Sequence, residues 1–123
     1  MRILLLDDNE DVLESLALVL ETAGYETVKA SDGDKAVALQ EAHPADLLIT
    51  DIFMPDIDGL ETIKAFRARW PRLKIIAISG GGAVAKHDYL TIAGEAGADF
   101  IMRKPVRPDE LLRTLEGLQL HAG

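Results

Sequence analysis

The amino-acid sequence predicts an α/β domain: an open, parallel, five-stranded sheet with helices on both faces. Three observations lead there. A short apolar run followed by a longer amphipathic segment recurs five times along the chain, which is the rhythm of βα units. Three of the five runs are nearly continuous apolar residues, as strands covered on both faces must be. Five units are too few to close the eight-stranded barrel, which leaves the doubly wound sheet.

The elements follow in order. Ile3 to Leu6 is the first strand, and Val12, Leu16, Val19, Leu20 and Ala23 then recur at helical spacing, with Gly24 placed to close that helix. Thr27 to Ala30 is a weaker second strand anchored by Val28, and the helix after it is stopped by Pro44. Leu47 to Thr50 is the third strand. Leu60, Ile63, Phe66 and Trp70 form the buried stripe of the third helix, with Trp70 its last core anchor and Pro71 its stop. Ile75 to Ile78 is the fourth strand; the fourth helix is expected from near Asp88 to Ala96, ended by Gly97. Phe100 to Met102 completes the sheet, and Pro108 opens a last helix striped by Leu111, Leu115 and Leu118.

Composition bounds the function. A chain of 123 residues, 48% hydrophobic and 28% charged, suits one domain with one core, without staples. Cys 0 excludes thiol catalysis and thiolate metal sites. Lys+Arg 13 against Asp+Glu 21 gives a net charge of -8, which repels nucleic acid and anionic lipid, so neither is expected as a partner. The longest apolar runs, such as Leu16 to Leu20, are far short of a membrane span, and no signal-peptide pattern opens the chain. A soluble cytoplasmic protein is expected.

Ligands of open α/β sheets bind at the carboxyl ends of the strands. Asp7 and Asp8 follow the first strand, Asp51 the third, Ser79 the fourth and Lys104 the fifth. Three carboxylates in one cluster suit Mg²⁺, which takes a few carboxylates, keeps waters and accepts phosphate as a further ligand. Lys104 and Ser79 suit the oxygens of a phosphoryl group. Asp51, on the central strand, is the candidate nucleophile that forms an acyl phosphate, with Asp7 and Asp8 left to hold the metal. Each residue alone also has a plainer use. Asp7 and Asp8 fit the opening of a helix in the run Asp7-Asp8-Asn9-Glu10-Asp11, Asp51 fits a turn, and Lys104 before Pro105 fits solvated surface. Coincidence across four strand ends favours the site.

These residues carry a resemblance. The pair Asp7-Asp8 after Ile3-Leu4-Leu5-Leu6, then Asp51-Ile52-Phe53-Met54-Pro55 with Gly59, then Ser79-Gly80, Gly97-Ala98-Asp99 and Lys104-Pro105 stand in the order and nearly the spacing of the receiver domains of two-component response regulators. The chain resembles that family over essentially its whole length. The resemblance implies a flavodoxin-like (βα)5 fold with strand order 2-1-3-4-5, phosphorylation of Asp51, Mg²⁺ held by Asp8 directly, by Asp7 through water and by the main-chain carbonyl of Phe53, and roles for Ser79 and Lys104 on the phosphoryl oxygens. It further implies a small residue at Gly80 for close approach and a cis bond before Pro105. The implied donor is a sensor histidine kinase or a histidine phosphotransfer protein, and the implied output is binding to a downstream protein, as a monomer or a phosphorylation-dependent homodimer. Residues 1–123 are expected to be a single receiver domain with no output domain, catalysing only its own phosphorylation and dephosphorylation.

Two features depart from the family pattern. The aromatic residue usual three positions before the lysine is Ile101 here, and Phe100 cannot replace it because side chains alternate faces along a strand. The stretch between Ser79 and Gly97 is about three residues longer than usual and contains Gly80-Gly81-Gly82, without the Lys-Ser or Lys-Thr of a phosphate-binding P-loop. His43, His87 and His121 lack ligand spacing and are read as surface residues. Two other functions compete. A haloacid dehalogenase-type phosphohydrolase shares the aspartyl nucleophile but needs a second Asp where Phe53 stands. A non-phosphorylated interaction module of the same fold would not need the full set of polar groups.

Overall fold

The computed structural model describes residues 1–52, 59–79 and 96–122. The expected fourth helix, except its last residue Ala96, lies outside them, as do Phe53 and the glycines Gly80 to Gly82. Among the described residues the chain forms β1 (Arg2–Leu6), α1 (Glu10–Thr22), β2 (Glu26–Ala30), α2 (Gly33–Ala42), β3 (Leu47–Asp51), α3 (Gly59–Arg69), β4 (Lys74–Ser79), β5 (Phe100–Arg103) and α4 (Pro108–Ala122). All strand pairs are parallel and the sheet order is β2-β1-β3-β4-β5, as the sequence and the resemblance implied.

Strand alternation sorts the core into two halves. Leu4, Leu6, Leu48, Ile75 and Ala77 point to one face, where Ala36 of α2 and Ile63 and Phe66 of α3 cover them. Ile3, Leu5, Leu47, Ile49, Ile76, Ile78 and Met102 point to the other, beneath Leu13, Leu16, Ala17 and Leu20 of α1 and Leu111 and Leu115 of α4. The central strands are apolar on both faces because both faces are covered. Edge strand β2 is less buried; Ala30 is its deepest residue, with Val28 only partly buried.

Two sequence expectations are corrected. The buried stripe of α1 is Leu13, Leu16, Ala17 and Leu20, while Val12 and Val19 are partly buried and Ala23 is exposed at the helix end. Residues 12–20 are so rich in apolar side chains that two stripes were open, and the i, i+3, i+4, i+7 set took the sheet, leaving Leu18 exposed. Trp70 lies one residue past the end of α3; it packs on Phe66 with ring centroids 5.0 Å apart and is partly buried.

Helix ends are set by local chemistry. Asn9 caps α1, its side chain accepting the N–H groups of Asp11 and Val12. At the other end Gly24 takes φ +98, the Tyr25 N–H donates to Leu20 O and the Gly24 N–H to Glu21 O, a Schellman motif closed by Tyr25 packing on the core. Asp32 caps α2 by accepting the Lys35 N–H.

Candidate functional site

Register and parity build the site. Leu5 pairs with Ile49 and Leu6 with Thr50, so the next residues, Asp7 and Asp51, come side by side at the carboxyl ends of β1 and β3. Both continue the alternation of residues facing α1 and α4. Lys104 follows Met102 by two, on that same face, and its N–H donates to Ser79 O at 2.9 Å. Its peptide bond to Pro105 is cis, as the resemblance implied.

The side chains meet there. Lys104 Nζ lies 2.7 Å from Asp51 Oδ2 and 3.4 Å from Asp7 Oδ2. Asp7 (2% exposed) and Asp51 (3%) are buried, whereas Asp8 is at the surface. One carboxylate oxygen from each of Asp7, Asp8 and Asp51 lies within 4.8 Å of the others. Ser79 is buried at the end of β4, one residue beyond Ile78, the partner of Asp51 in the ladder. Of the residues the sequence nominated, the structure thus unites Asp7, Asp8, Asp51 and Lys104, with Ser79 at the adjoining strand end; Phe53 and Gly80 lie outside the described residues.

Asn9 is a contributor the sequence reading passed over. Its N–H donates to Asp7 Oδ1 at 2.9 Å while its side chain caps α1, so one residue fixes both the carboxylate and the helix. An Asn directly before Glu10 and Asp11 is the readable signal for that cap. The helix-opening role weighed for Asp7 and Asp8 therefore belongs to Asn9, Glu10 and Asp11.

Electrostatics show why a cation belongs here. Burial pushes the Asp7 carboxyl above its ordinary range, helped by the Asp51 charge and the hydrogen bond with Asp8, against the Asn9 N–H and Lys104, which favour the ionised form. For Lys104 burial lowers the affinity for a proton, but the hydrogen bond and charge of Asp51 and the contact with Asp7 outweigh it, and the ammonium is held above its ordinary range. Among the described residues one ammonium thus pairs with two of the three clustered carboxylates. An all-oxygen donor set with two buried carboxylates fits a hard divalent ion such as Mg²⁺.

A stability prediction follows from Asp7. Because its folded pKa is raised above 3.8, the folded state binds more protons than the unfolded one between 3.8 and the raised value, and stability falls as pH rises through that window. In EDTA near neutral pH, Asp7→Asn is expected to raise stability by about 1 kcal/mol, roughly 3–5 °C in Tm, and to flatten the acid side of the pH profile. Mg²⁺ should stabilise the wild type far more than the variant. Thermal unfolding with and without Mg²⁺ checks both, and a destabilised variant in EDTA contradicts the account.

The model of the response regulator receiver domain matches residues 3–116. The chain belongs to this family. As a receiver domain it is 35% identical over 119 residues to the response regulator MprA of Mycobacterium leprae, covering 96% of this chain and 50% of that protein. It is 32% identical over 111 residues to the alkaline phosphatase synthesis transcriptional regulatory protein PhoP of Bacillus subtilis, covering 89% of this chain and 45% of that protein. The receiver domain spans about half the length of the curated relatives it matches. Among solved structures, a CheY-like receiver domain protein from Methanospirillum hungatei superposes with a TM-score of 0.89 at 30% identity, covering 98% of this chain and 94% of that one. Chemotaxis protein CheY4 of Vibrio cholerae gives 0.85 at 28%, covering 94% and 95%. Among the described residues no helix is long and apolar enough to cross a membrane.

Proposed function

We propose that this receiver domain is a phosphorylation-controlled switch: Asp51 accepts a phosphoryl group from the phosphohistidine of a sensor histidine kinase or a histidine phosphotransfer protein, and the phosphorylated form signals by binding a downstream protein. The observation that carries this reading is the buried Asp51 carboxylate, with Lys104 Nζ at 2.7 Å and the oxygens of Asp7 and Asp8 beside it. Four of the five polar groups that acyl-phosphate chemistry requires converge, and the hydroxyl of Ser79 is one ladder step away.

In the transfer an Asp51 carboxylate oxygen forms the new bond to phosphorus, the phosphorus–nitrogen bond to the donor imidazole breaks, and its electron pair leaves with the imidazole. Asp7, Asp8 and Asp51 would hold Mg²⁺, which would supply divalent positive charge to offset that of the phosphoryl oxygens. Lys104 starts paired to Asp51; as that carboxylate becomes an ester-like acyl group, the ammonium passes to the phosphoryl oxygens without leaving the site. Ser79 donates its hydroxyl to another of those oxygens. The chain turns over no other substrate: its chemistry is its own phosphorylation and dephosphorylation. Beside Lys104 a shallow apolar groove of about 570 Å³, lined by Val12, Leu16, Pro105 and Val106, offers the donor protein a dry surface against which to seat the phosphohistidine.

Intact-mass measurement after incubation with acetyl phosphate and Mg²⁺ tests the proposal. One phosphoryl group is expected on the wild type, and none on Asp51→Asn or in EDTA. Unchanged yield in Asp51→Asn moves the site elsewhere, and no uptake by the wild type leaves the non-phosphorylated interaction module as the reading.

A further inference from the structure

The end of the sheet opposite the phosphorylation site carries a second surface of distinct chemistry. The chain has a net charge of -8, yet residues 62–87 contain no carboxylate and six lysines and arginines. Four of these, Arg67, Arg69, Arg72 and Lys74, fall in the eight residues that run from the last turns of α3 into β4. Arg67 is turned inward; the other three line a groove of about 580 Å³. Its apolar lining includes Trp70, Pro71 and Pro44, and the carboxylate on its wall, Asp46, already accepts the Arg2 N–H.

The groove is built rigidly. The guanidinium of Arg67 donates to Pro71 O at 2.8 Å and Leu73 O at 2.7 Å, which pins the loop that carries Trp70 and Arg72. Gln40 clamps the facing loop by a reciprocal pair of hydrogen bonds with Ala45. Arg69 lies 4.7 Å from the Trp70 ring centroid and pairs with Glu41 at 2.6 Å. Arg72 and Lys74 have no ion pair among the described residues. A fixed apolar wall beside unpaired cations is complementary to an anionic ligand with an apolar side chain.

We propose that this groove docks an acidic, extended peptide segment of a partner protein, one apolar side chain seated beside Trp70 and flanking carboxylates on Arg72 and Lys74. The six residues of β4 put it roughly 20 Å from the Ser79 end of that strand, at ~3.3 Å per residue. Docking there does not compete with phosphoryl transfer, so it tethers a partner in both states of the switch.

Trp70 is the chain's one tryptophan and reports on the groove directly. The probe is a tryptophan-free hexapeptide of alternating glutamate and leucine, titrated into the unphosphorylated chain while Trp70 emission is followed. A saturable change is expected, with Kd raised roughly tenfold, about 1.4 kcal/mol, in R72E/K74E. Both residues are at or near the surface, and an unchanged Tm certifies that the variant is folded. Asp51→Asn should bind as wild type does, which separates this outcome from any failure of the phosphorylation reading. The proposal is overturned by absence of saturable binding, by equal response to the lysine-for-glutamate peptide, or by unchanged Kd in R72E/K74E. It is likewise overturned if adenosine monophosphate binds the groove more tightly than the peptide, or if the chain alone self-associates through Arg72 and Lys74, which would make a nucleotide or a second copy the occupant.

Discussion

Lys104→Met is expected to slow phosphoryl uptake from acetyl phosphate by roughly 10²–10³-fold, the usual cost of removing one charge-stabilising donor from a preorganised site. The ammonium stands 2.7 Å from Oδ2 of Asp51, the proposed nucleophile, and 3.4 Å from Oδ2 of Asp7 before any phosphoryl group arrives, so its position requires no reorganisation during transfer. Methionine keeps most of the stem's volume and removes the charge. The same change leaves the carboxylates of Asp7, Asp8 and Asp51 facing one another without a cation, so Mg²⁺ binding should be retained or tightened while uptake collapses. That split distinguishes a group acting on the phosphoryl oxygens from one that merely holds the metal site together.

The stability of this variant has a predictable sign. Lys104 is held above its ordinary value of 10.5, so its contribution is complete below that pH and is lost only as pH rises through the folded-state value. At neutral pH in EDTA, Lys104→Met should therefore be less stable than wild type, and Mg²⁺ should restore much of the difference by taking over the neutralisation. Uptake followed by intact mass, together with thermal unfolding in EDTA and in Mg²⁺, measures both effects. Wild-type uptake in Lys104→Met, or a parallel loss of Mg²⁺ binding, contradicts the assigned role.

Much of this site could be read from the chain because strand parity is simple arithmetic. Once Ile3 to Leu6 and Leu47 to Thr50 are recognised as neighbouring buried strands, Asp7 and Asp51 follow at equivalent steps, and Lys104 follows Met102 on the same face. The same arithmetic explains position 101. Phe100 is 47% exposed and Met102 is buried beneath α1 and α4, while Ile101 packs against the α2 and α3 half of the core, where Phe100 cannot reach. Less was legible where one segment satisfied two patterns. The apolar excess in residues 12–20 left the rotation of α1 open until the sheet selected Leu13 and Ala17 over Val19 and Ala23. Side chains that bind distant backbone carbonyls leave no period at all, and Arg67 is the main example.

Arg67→Ala is expected to destabilise the domain by about 3 kcal/mol, lowering Tm by roughly 10 °C, although the residue touches neither the proposed phosphorylation site nor the centre of the core. Its guanidinium uses all five donors: Nε and Nη2 on Gly97 O at 3.1 and 2.6 Å, Nη1 on Pro71 O and Leu73 O, and Nη2 again on Asp99 Oδ2 at 2.8 Å. Asp99 in turn accepts the Ile75 N–H, so the alanine variant strips the cation from a carboxylate that also holds the start of β4. Gly97 fits this arrangement twice over, since its φ of +123 disfavours any side chain and a Cβ there would lie 3.0 Å from Arg67 Cγ. Three carbonyls and one carboxylate lose their partner together, and only the more exposed of them are rehydrated cheaply. Arg67→Lys should recover little, because a single ammonium cannot reach the α3–β4 loop and Gly97 at once. Asp99→Asn keeps an acceptor for the Ile75 N–H and should cost about 1 kcal/mol, the difference from Arg67→Ala being the share carried by the carbonyls. Thermal unfolding of the three variants, with Trp70 emission following the loop, measures this ranking; an Arg67→Lys variant as stable as wild type would show that charge alone, rather than the five-donor fork, joins α3 to the beginning of β5.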